Sequence, residues 1–187
     1  MNSYESEKTK YDSMHEIPGY SPGPGIAHVK TALGYIKPGD SVIDFGCGTG
    51  DAAQAFIDLG HSVQAVDISA KGLRRNLGER FSQASLIALP DLLKPASWGF
   101  CCDVMEHLPT EWIDQAFLEI SRKVQNCFFS ISGDPDSWGR KIGSVLHLTV
   151  RPVEWWGGRI RGYWTDVNLI HNSGSTFIFV AKGAKRV

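Results

Sequence analysis

The apolar positions of the chain fall into two alternating patterns, short continuous runs and runs at helical spacing. Ile26 to Ile36 has apolar residues at 26, 29, 33 and 36, which predicts a helix ended by Lys37-Pro38-Gly39-Asp40. Ser41 to Asp44 is a buried strand, and Asp51 to Leu59 a helix with Ala52, Ala55, Phe56 and Leu59 on one face and Gly60 as its stop. His61 to Val66 is a second strand running into Asp67. Lys71 to Phe81 has Leu73, Leu77 and Phe81 at helical spacing, interrupted by Gly72 and Gly78, and Ala84 to Leu89 is the expected third strand. Trp98 to Cys102 is the fourth, followed by a helix with Ile113, Ala116, Phe117 and Ile120 on one face. Val124 to Ser132 is the fifth strand, too apolar for a sheet edge. Pro152 opens a short helix, Val153 to Ile160, and Asn172-Ser173-Gly174 joins Tyr163–His171 to Ser175–Ala181 as a hairpin.

Strands alternating with helices predict an α/β fold, a doubly wound and mostly parallel sheet with helices on both faces and a C-terminal antiparallel hairpin. At 187 residues this is one domain, residues 26–187, preceded by a flexible N-terminal arm, residues 1–25. The arm is polar, and Ser21-Pro22-Gly23-Pro24-Gly25 excludes regular structure there. Its tyrosines, Tyr4, Tyr11 and Tyr20, are unusual for a solvated tail and suggest a segment that folds over a ligand. Residues 133–150 are irregular and rich in polar and aromatic groups, as ligand-side loops are.

A net charge of −1 gives no global basic field for nucleic acid. No apolar run reaches the ~20 residues of a membrane span, and the polar N-terminus lacks a signal-peptide core. Cys47, Cys101, Cys102 and Cys127 form no Cys-x-x-Cys pair, so buried free thiols in a reducing, cytoplasmic setting are expected, and nothing in the spacing points to a metal site.

The chemistry lies in two stretches. The first is Asp44-Phe45-Gly46-Cys47-Gly48-Thr49-Gly50, a strand end turning through alternating glycines into a helix. Asp67 lies 17 residues after Gly50, near the ~20-residue offset at which a carboxylate meets a ribose diol. The second is Asp103-Val104-Met105-Glu106-His107, after the fourth strand. Asp-x-Gly-x-Gly-x-Gly resembles motif I of the class I S-adenosylmethionine-dependent methyltransferases, and Asp-x-x-Glu-His resembles the segment after the fourth strand in many small-molecule members. The resemblance spans roughly 26–181 and implies the seven-strand Rossmann-like fold with S-adenosyl-L-methionine as cofactor. It implies that Asp44, Gly46, Cys47, Gly48 and Gly50 face the cofactor, with Asp44 on its amino group. Asp67 and the adjoining Ile68 would take the ribose side, Asp91 the adenine, and Asp103 the methionine part.

Methyl transfer from a sulfonium is an in-line displacement that needs a base only for a protonated acceptor. His107, with an unperturbed pKa of ~6.5, is the first candidate, Glu106 the second, and His147 stands in the acceptor-side loop. Trp138, Trp155 and Trp156 are candidates for an acceptor wall. No Asn-Pro-Pro-Tyr-type tetrapeptide follows the fourth strand, which favours an oxygen or nitrogen of a small-molecule or nucleotide-like acceptor over a nucleic acid base. Two alternatives stand beside this reading. One is a non-catalytic module that only binds the cofactor. The other is a nicotinamide-dependent oxidoreductase, which the glycine spacing and Asp51 oppose. Oligomeric state is not readable.

Overall fold

The computed structural model describes residues 3–20 and 25–185. A seven-stranded sheet runs through its centre. In chain order the elements are α1 (Tyr4–Met14), α2 (Gly25–Ala32), β1 (Ser41–Phe45), α3 (Asp51–Asp58), β2 (Ser62–Asp67), β3 (Phe81–Gln83), β4 (Ala96–Cys102), α4 (Ile113–Lys123), β5 (Val124–Ser132), α5 (Val153–Tyr163), β6 (Trp164–Asn172) and β7 (Thr176–Ala184). The strand order is β3-β2-β1-β4-β5-β7-β6. Strands β1 to β5 are parallel to their neighbours, and β7 enters antiparallel between β5 and the edge strand β6.

The central strands are apolar on both faces because helices cover both. Ile43, Phe45, Cys101 and Phe129 point to the side closed by α4 and α5, where Phe117, Trp156 and Ile160 are buried. Their neighbours Val42, Phe100 and Phe128 point the other way, onto Val29 of α2 and Ala53 and Phe56 of α3. On that side Phe56, Phe100 and Phe128 form an aromatic column with centroid separations of 5.2 and 5.6 Å. All four cysteines are free and buried. Among the described residues no helix is long and apolar enough to cross a membrane.

The structure departs from the sequence reading in three places. Residues 4–14, expected to be irregular, form α1, whose start is closed by a reciprocal hydrogen-bonded cap between Ser3 and Ser6; Ser21–Pro24 lie outside the described residues. Lys71–Phe81 is not a helix. The Arg74 and Arg75 N–H groups both donate to the Thr49 carbonyl, so the segment is pinned to the end of the glycine loop, and its only helical turn is the short Gly78–Arg80. The third strand is Phe81–Gln83, paired with Ala65–Asp67, and not Ala84–Leu89. The latter residues leave the sheet, starting where the Ala84 N–H donates to the Asp67 carbonyl at 2.9 Å.

Candidate functional site

Strand order reverses between β1 and β4, and a cleft opens outside the carboxyl ends of the strands at such a point. Here it holds a cavity of about 410 Å³, within the range of small-molecule sites.

The cavity floor is the loop after β1. Gly46 has φ +72, and a Cβ built there would stand 2.3 Å from Val104 Cγ2, so only glycine lets this loop pass the loop after β4. The Gly46 and Cys47 N–H groups donate to the Val66 carbonyl at 2.7 and 3.0 Å. The Gly48 N–H donates to Asp67 Oδ2 at 2.8 Å, and Ser69 N–H to Asp67 Oδ1 at 2.9 Å. Asp67 thus fixes the loop and caps the following turn, while each of its oxygens keeps a further lone pair. Burial pushes its carboxyl up, against the pull of the Ser69 and Gly48 N–H groups.

Behind this floor Asp44 is 3% exposed, with no partner for Oδ2. Burial, with the Asp67 charge, pushes it up to about 7, while an Ala53 backbone hydrogen bond opposes. Asp44 and Cys47 line a small recess shared with Gly25 and Ile26, and do not line the main cavity. Gly50 serves as the left-handed N-cap of α3, also away from the cavity wall.

The loop after β4 forms the facing wall. Asp103 adopts φ +54, a conformation costing a non-glycine residue roughly 1–2 kcal/mol. Its N–H is held by the Ser130 carbonyl at 2.8 Å, and its buried Oδ2 has no partner. Burial raises its carboxyl to about 6. Glu106 is fully buried; Oε1 accepts the Ser132 N–H at 3.0 Å and Oε2 has no partner. Burial, then the charge of Asp103, holds its carboxyl well above the ordinary range.

His107 lines the cavity with Nδ1 2.8 Å from the Tyr11 hydroxyl. Burial foremost, then His147 and Lys10, holds His107 down to about 3, far from the value near neutrality expected for a base. The His147 ring meets it edge-on at 4.6 Å. His147 Nδ1 lies against the Asp134 carbonyl, which only accepts; Nδ1 therefore carries a proton, and Nε2 is the ring nitrogen left for another partner. Among the described residues, Glu106, His107 and His147 have ligand atoms all within 4.8 Å of one another, a spacing able to hold a metal ion.

α1 closes the cavity on its open side. Tyr11 reaches His107, Ser69 Oγ donates to Asp12 Oδ1 at 2.5 Å, Lys71 pairs with Glu16, and Met14 is fully buried. The His15 ring lies over Gly72, where a Cβ would be 2.3 Å away. Tyr20 then meets Trp138 edge-on at 5.7 Å, joining the N-terminal segment to the loop after β5.

Of the expected residues, Gly46, Gly48, Asp67, Ile68, Asp103 and His107 come together at the cavity, with Glu106 directly behind. Asp91 does not: it is exposed in the turn before β4, and Ala84, Ser85 and Leu86 occupy that side of the cavity instead. Trp138 lines the cavity, but Trp156 is fully buried in the core and Trp155 packs on it at 4.9 Å. Sequence reasoning had no signal for Ser85, Leu86 or His15; for Tyr11 and Tyr20 the aromatic content of the arm was the signal. Among the described residues no lysine or arginine lines the cavity, whereas Glu7, Asp67, Asp103 and Asp136 do, Glu7 being paired with Lys10. Such a wall suits a cationic ligand with a hydroxylated sugar and opposes a pyrophosphate.

A methyltransferase-domain family model matches residues 42–126, which cover β1 to the start of β5. No curated protein matches the sequence. Among solved structures, the fold resembles DhpI in complex with S-adenosylhomocysteine (TM-score 0.71, 16% identity, 98% of each chain covered). It also resembles the 1,6-didemethyltoxoflavin-N1-methyltransferase of Burkholderia thailandensis (TM-score 0.65, 16% identity, 99% of this chain and 92% of that one). A third likeness is the small RNA methyltransferase HEN1 (TM-score 0.65, 19% identity, 91% of this chain and 26% of that one). The domain match over the cofactor-side strands and the sheet order together give this chain the fold of the class I S-adenosylmethionine-dependent methyltransferases, and residues 42–126 resemble a methyltransferase domain.

Proposed function

We propose that the chain transfers the methyl group of S-adenosyl-L-methionine to an oxygen or nitrogen of a small, ring-bearing acceptor. The observation that carries this reading is the meeting of Gly46, Gly48, Asp67 and Asp103 around one cavity whose described lining includes acids and no lysine or arginine. Bound there, the cofactor supplies a methyl group already activated by the sulfonium charge.

The residues take the following parts. Asp67 holds the ribose hydroxyls with the lone pairs its backbone partners leave free. Asp103, the orphaned carboxylate on the cavity wall, takes the amino group of the methionine part, and Asp44 stands behind the loop in the adjoining recess. Ile68 and Leu86 give the adenine an apolar slot, with Ser85 as a polar edge. Tyr11, Tyr20, Trp138 and Leu146 enclose the acceptor and exclude water. His107 and His147 line the cavity, with Glu106 buried behind them, and orient an acceptor hydroxyl or amine for in-line attack. A neighbour of the same fold is an N1-methyltransferase solved with 1,6-didemethyltoxoflavin and S-adenosylhomocysteine bound, in keeping with a small acceptor in a cavity of this size.

Parallel calorimetric titration with S-adenosylmethionine, S-adenosylhomocysteine and NAD tests the proposal. Binding of the first two alone is expected, followed by methyl transfer in an acceptor screen. Binding of NAD alone would overturn it. Tight cofactor binding with no turnover on any acceptor would instead make the chain a binding module.

A further inference from the structure

Glu106, His107 and His147 are placed together by the fold and not by local sequence. The first two come from the short turn after β4, the third from the loop after β5. The two loops are stitched to each other at several points. Glu106 Oε1 takes the Ser132 N–H, the Thr149 N–H donates to the Glu106 carbonyl at 2.9 Å, and Thr149 Oγ1 donates to the Leu108 carbonyl at 2.7 Å. The loop conformation itself is held by Asp136, whose carboxylate accepts the Gly139 and Leu146 N–H groups, each at 2.9 Å. His147 therefore sits in a fixed loop, at a fixed distance from Glu106.

Three features of this group call for a ligand. Glu106 is fully buried, yet its Oε2 has no hydrogen-bond partner, and an unpartnered carboxylate oxygen is costly to bury. A second orphaned carboxylate, Asp103, stands three residues away in the same turn, and among the described residues no lysine or arginine pairs with the free oxygen of either acid. His147 donates its Nδ1–H to a backbone carbonyl, the arrangement that fixes the tautomer and directs the other ring nitrogen in metal-binding histidines. The donors offered are one carboxylate oxygen and one ring nitrogen from each histidine, all within 4.8 Å of one another. That mixture suits a divalent transition ion such as Mn²⁺, Co²⁺ or Zn²⁺ better than Ca²⁺ or Mg²⁺, which prefer oxygen throughout.

We infer that Glu106, His107 and His147 bind one divalent transition-metal ion at the acceptor end of the cavity. This rests on the methyltransferase reading for its purpose. The site narrows the acceptor to a hydroxyl, most naturally one beside a second oxygen, since three protein donors leave coordination positions open. The ion would draw electron density from a hydroxyl bound to it, whose proton leaves to solvent before the N-terminal segment closes over the acceptor. The oxygen lone pair then forms the new C–O bond while the methyl C–S bond breaks, its electron pair staying on the sulfur of S-adenosylhomocysteine. His107 acts as a neutral ligand rather than as the proton acceptor.

The test is Mn²⁺ titration of the full chain read by electron paramagnetic resonance, with Co²⁺ absorption as a second probe. One Mn²⁺ per chain is expected. Glu106→Gln keeps the shape and the acceptor for the Ser132 N–H but removes the charge. His147→Ala removes a ligand from a surface loop without touching the core. Changes one shell further out already cost roughly 10–100-fold in metal affinity, so each variant should lose at least tenfold. No stoichiometric uptake by the wild-type chain, or uptake unchanged in both variants, would overturn the site. S-adenosylhomocysteine calorimetry on the wild-type chain, with and without EDTA, reads the cofactor pocket separately. Cofactor binding without Mn²⁺ binding removes the metal site alone, and absence of cofactor binding removes the methyltransferase reading itself.

Discussion

Replacing Gly46 by alanine probes how the two ligand loops are set against each other. Two separable terms enter. The backbone term comes from φ +72, which costs an L-residue about 1–2 kcal/mol. The steric term comes from the new Cβ, placed 2.3 Å from Cγ2, 2.9 Å from Cγ1 and 3.2 Å from Cβ of Val104. Relieving such overlap in a packed site costs about 1–3 kcal/mol. Together Gly46→Ala should lose about 2–5 kcal/mol. Val104→Ala deletes the two methyls and leaves only the 3.2 Å approach, so in that background Gly46→Ala should cost little beyond the backbone term. Urea unfolding of the four proteins, followed by tryptophan fluorescence, gives the coupling, expected at about 1–3 kcal/mol. Because Val104 adjoins Asp103, the single variant should also lose S-adenosylhomocysteine affinity, and the double variant should regain part of it. Additivity of the two substitutions within about 0.5 kcal/mol would show that the loops do not meet as described.

Asp67→Asn should weaken S-adenosylhomocysteine by about 1–3 kcal/mol, because it removes a charged acceptor and presents an amide N–H to one of the two backbone donors; unchanged affinity in calorimetry of a folded variant would refute the ribose assignment. Asp44, at about 7 when folded against an ordinary 3.8, binds its proton more tightly in the folded state, so its contribution is full below pH ~4 and is lost as pH rises through 7. Urea unfolding at pH 5 and pH 8 should therefore show a fall in stability that shrinks by roughly 2–3 kcal/mol in Asp44→Asn, and equal falls in the two proteins would refute the burial argument. Met14→Ala removes the one fully buried apolar anchor of α1, a change worth about 2–5 kcal/mol. Hydrogen exchange should then become fast over Tyr4–Met14 while the sheet stays protected, and continued protection of α1 would mean that its polar contacts suffice.

The sheet was legible because its strands carry their own evidence. β1, β4 and β5 send apolar side chains to both faces, and a parallel strand between two helical layers has no other composition available. β3 was misplaced because three residues are too few for any period to show. The spacing of Leu73 and Leu77 was real but served another purpose: both reach the Gly50 loop, where a Cβ would lie 3.0 and 3.3 Å from their Cδ1 atoms. The glycine loop, Asp67 and Asp103 were readable since each follows directly from a strand end. Asp91 failed because the shortness of β3 moved the residues beside the cavity back to Ala84–Leu86.

α1 and the Glu106–His107–His147 group were hidden for a common reason: both are held together by polar contacts between distant segments. The inward face of α1 is Glu7, Tyr11, Met14 and His15, which gives no apolar stripe, and its partners Ser69, Lys71 and His107 are far along the chain. Hydrogen bonds and exposed ion pairs of this kind contribute about 1 kcal/mol or less each, against several for a buried apolar face. A helix attached mainly in this way opens at a small fraction of the cost of global unfolding. Its weak hold suits its position, because a cavity closed on this side has to admit a cofactor and an acceptor and release two products. The same choice of polar contacts that removes α1 from the hydrophobic pattern therefore makes it the element best placed to move.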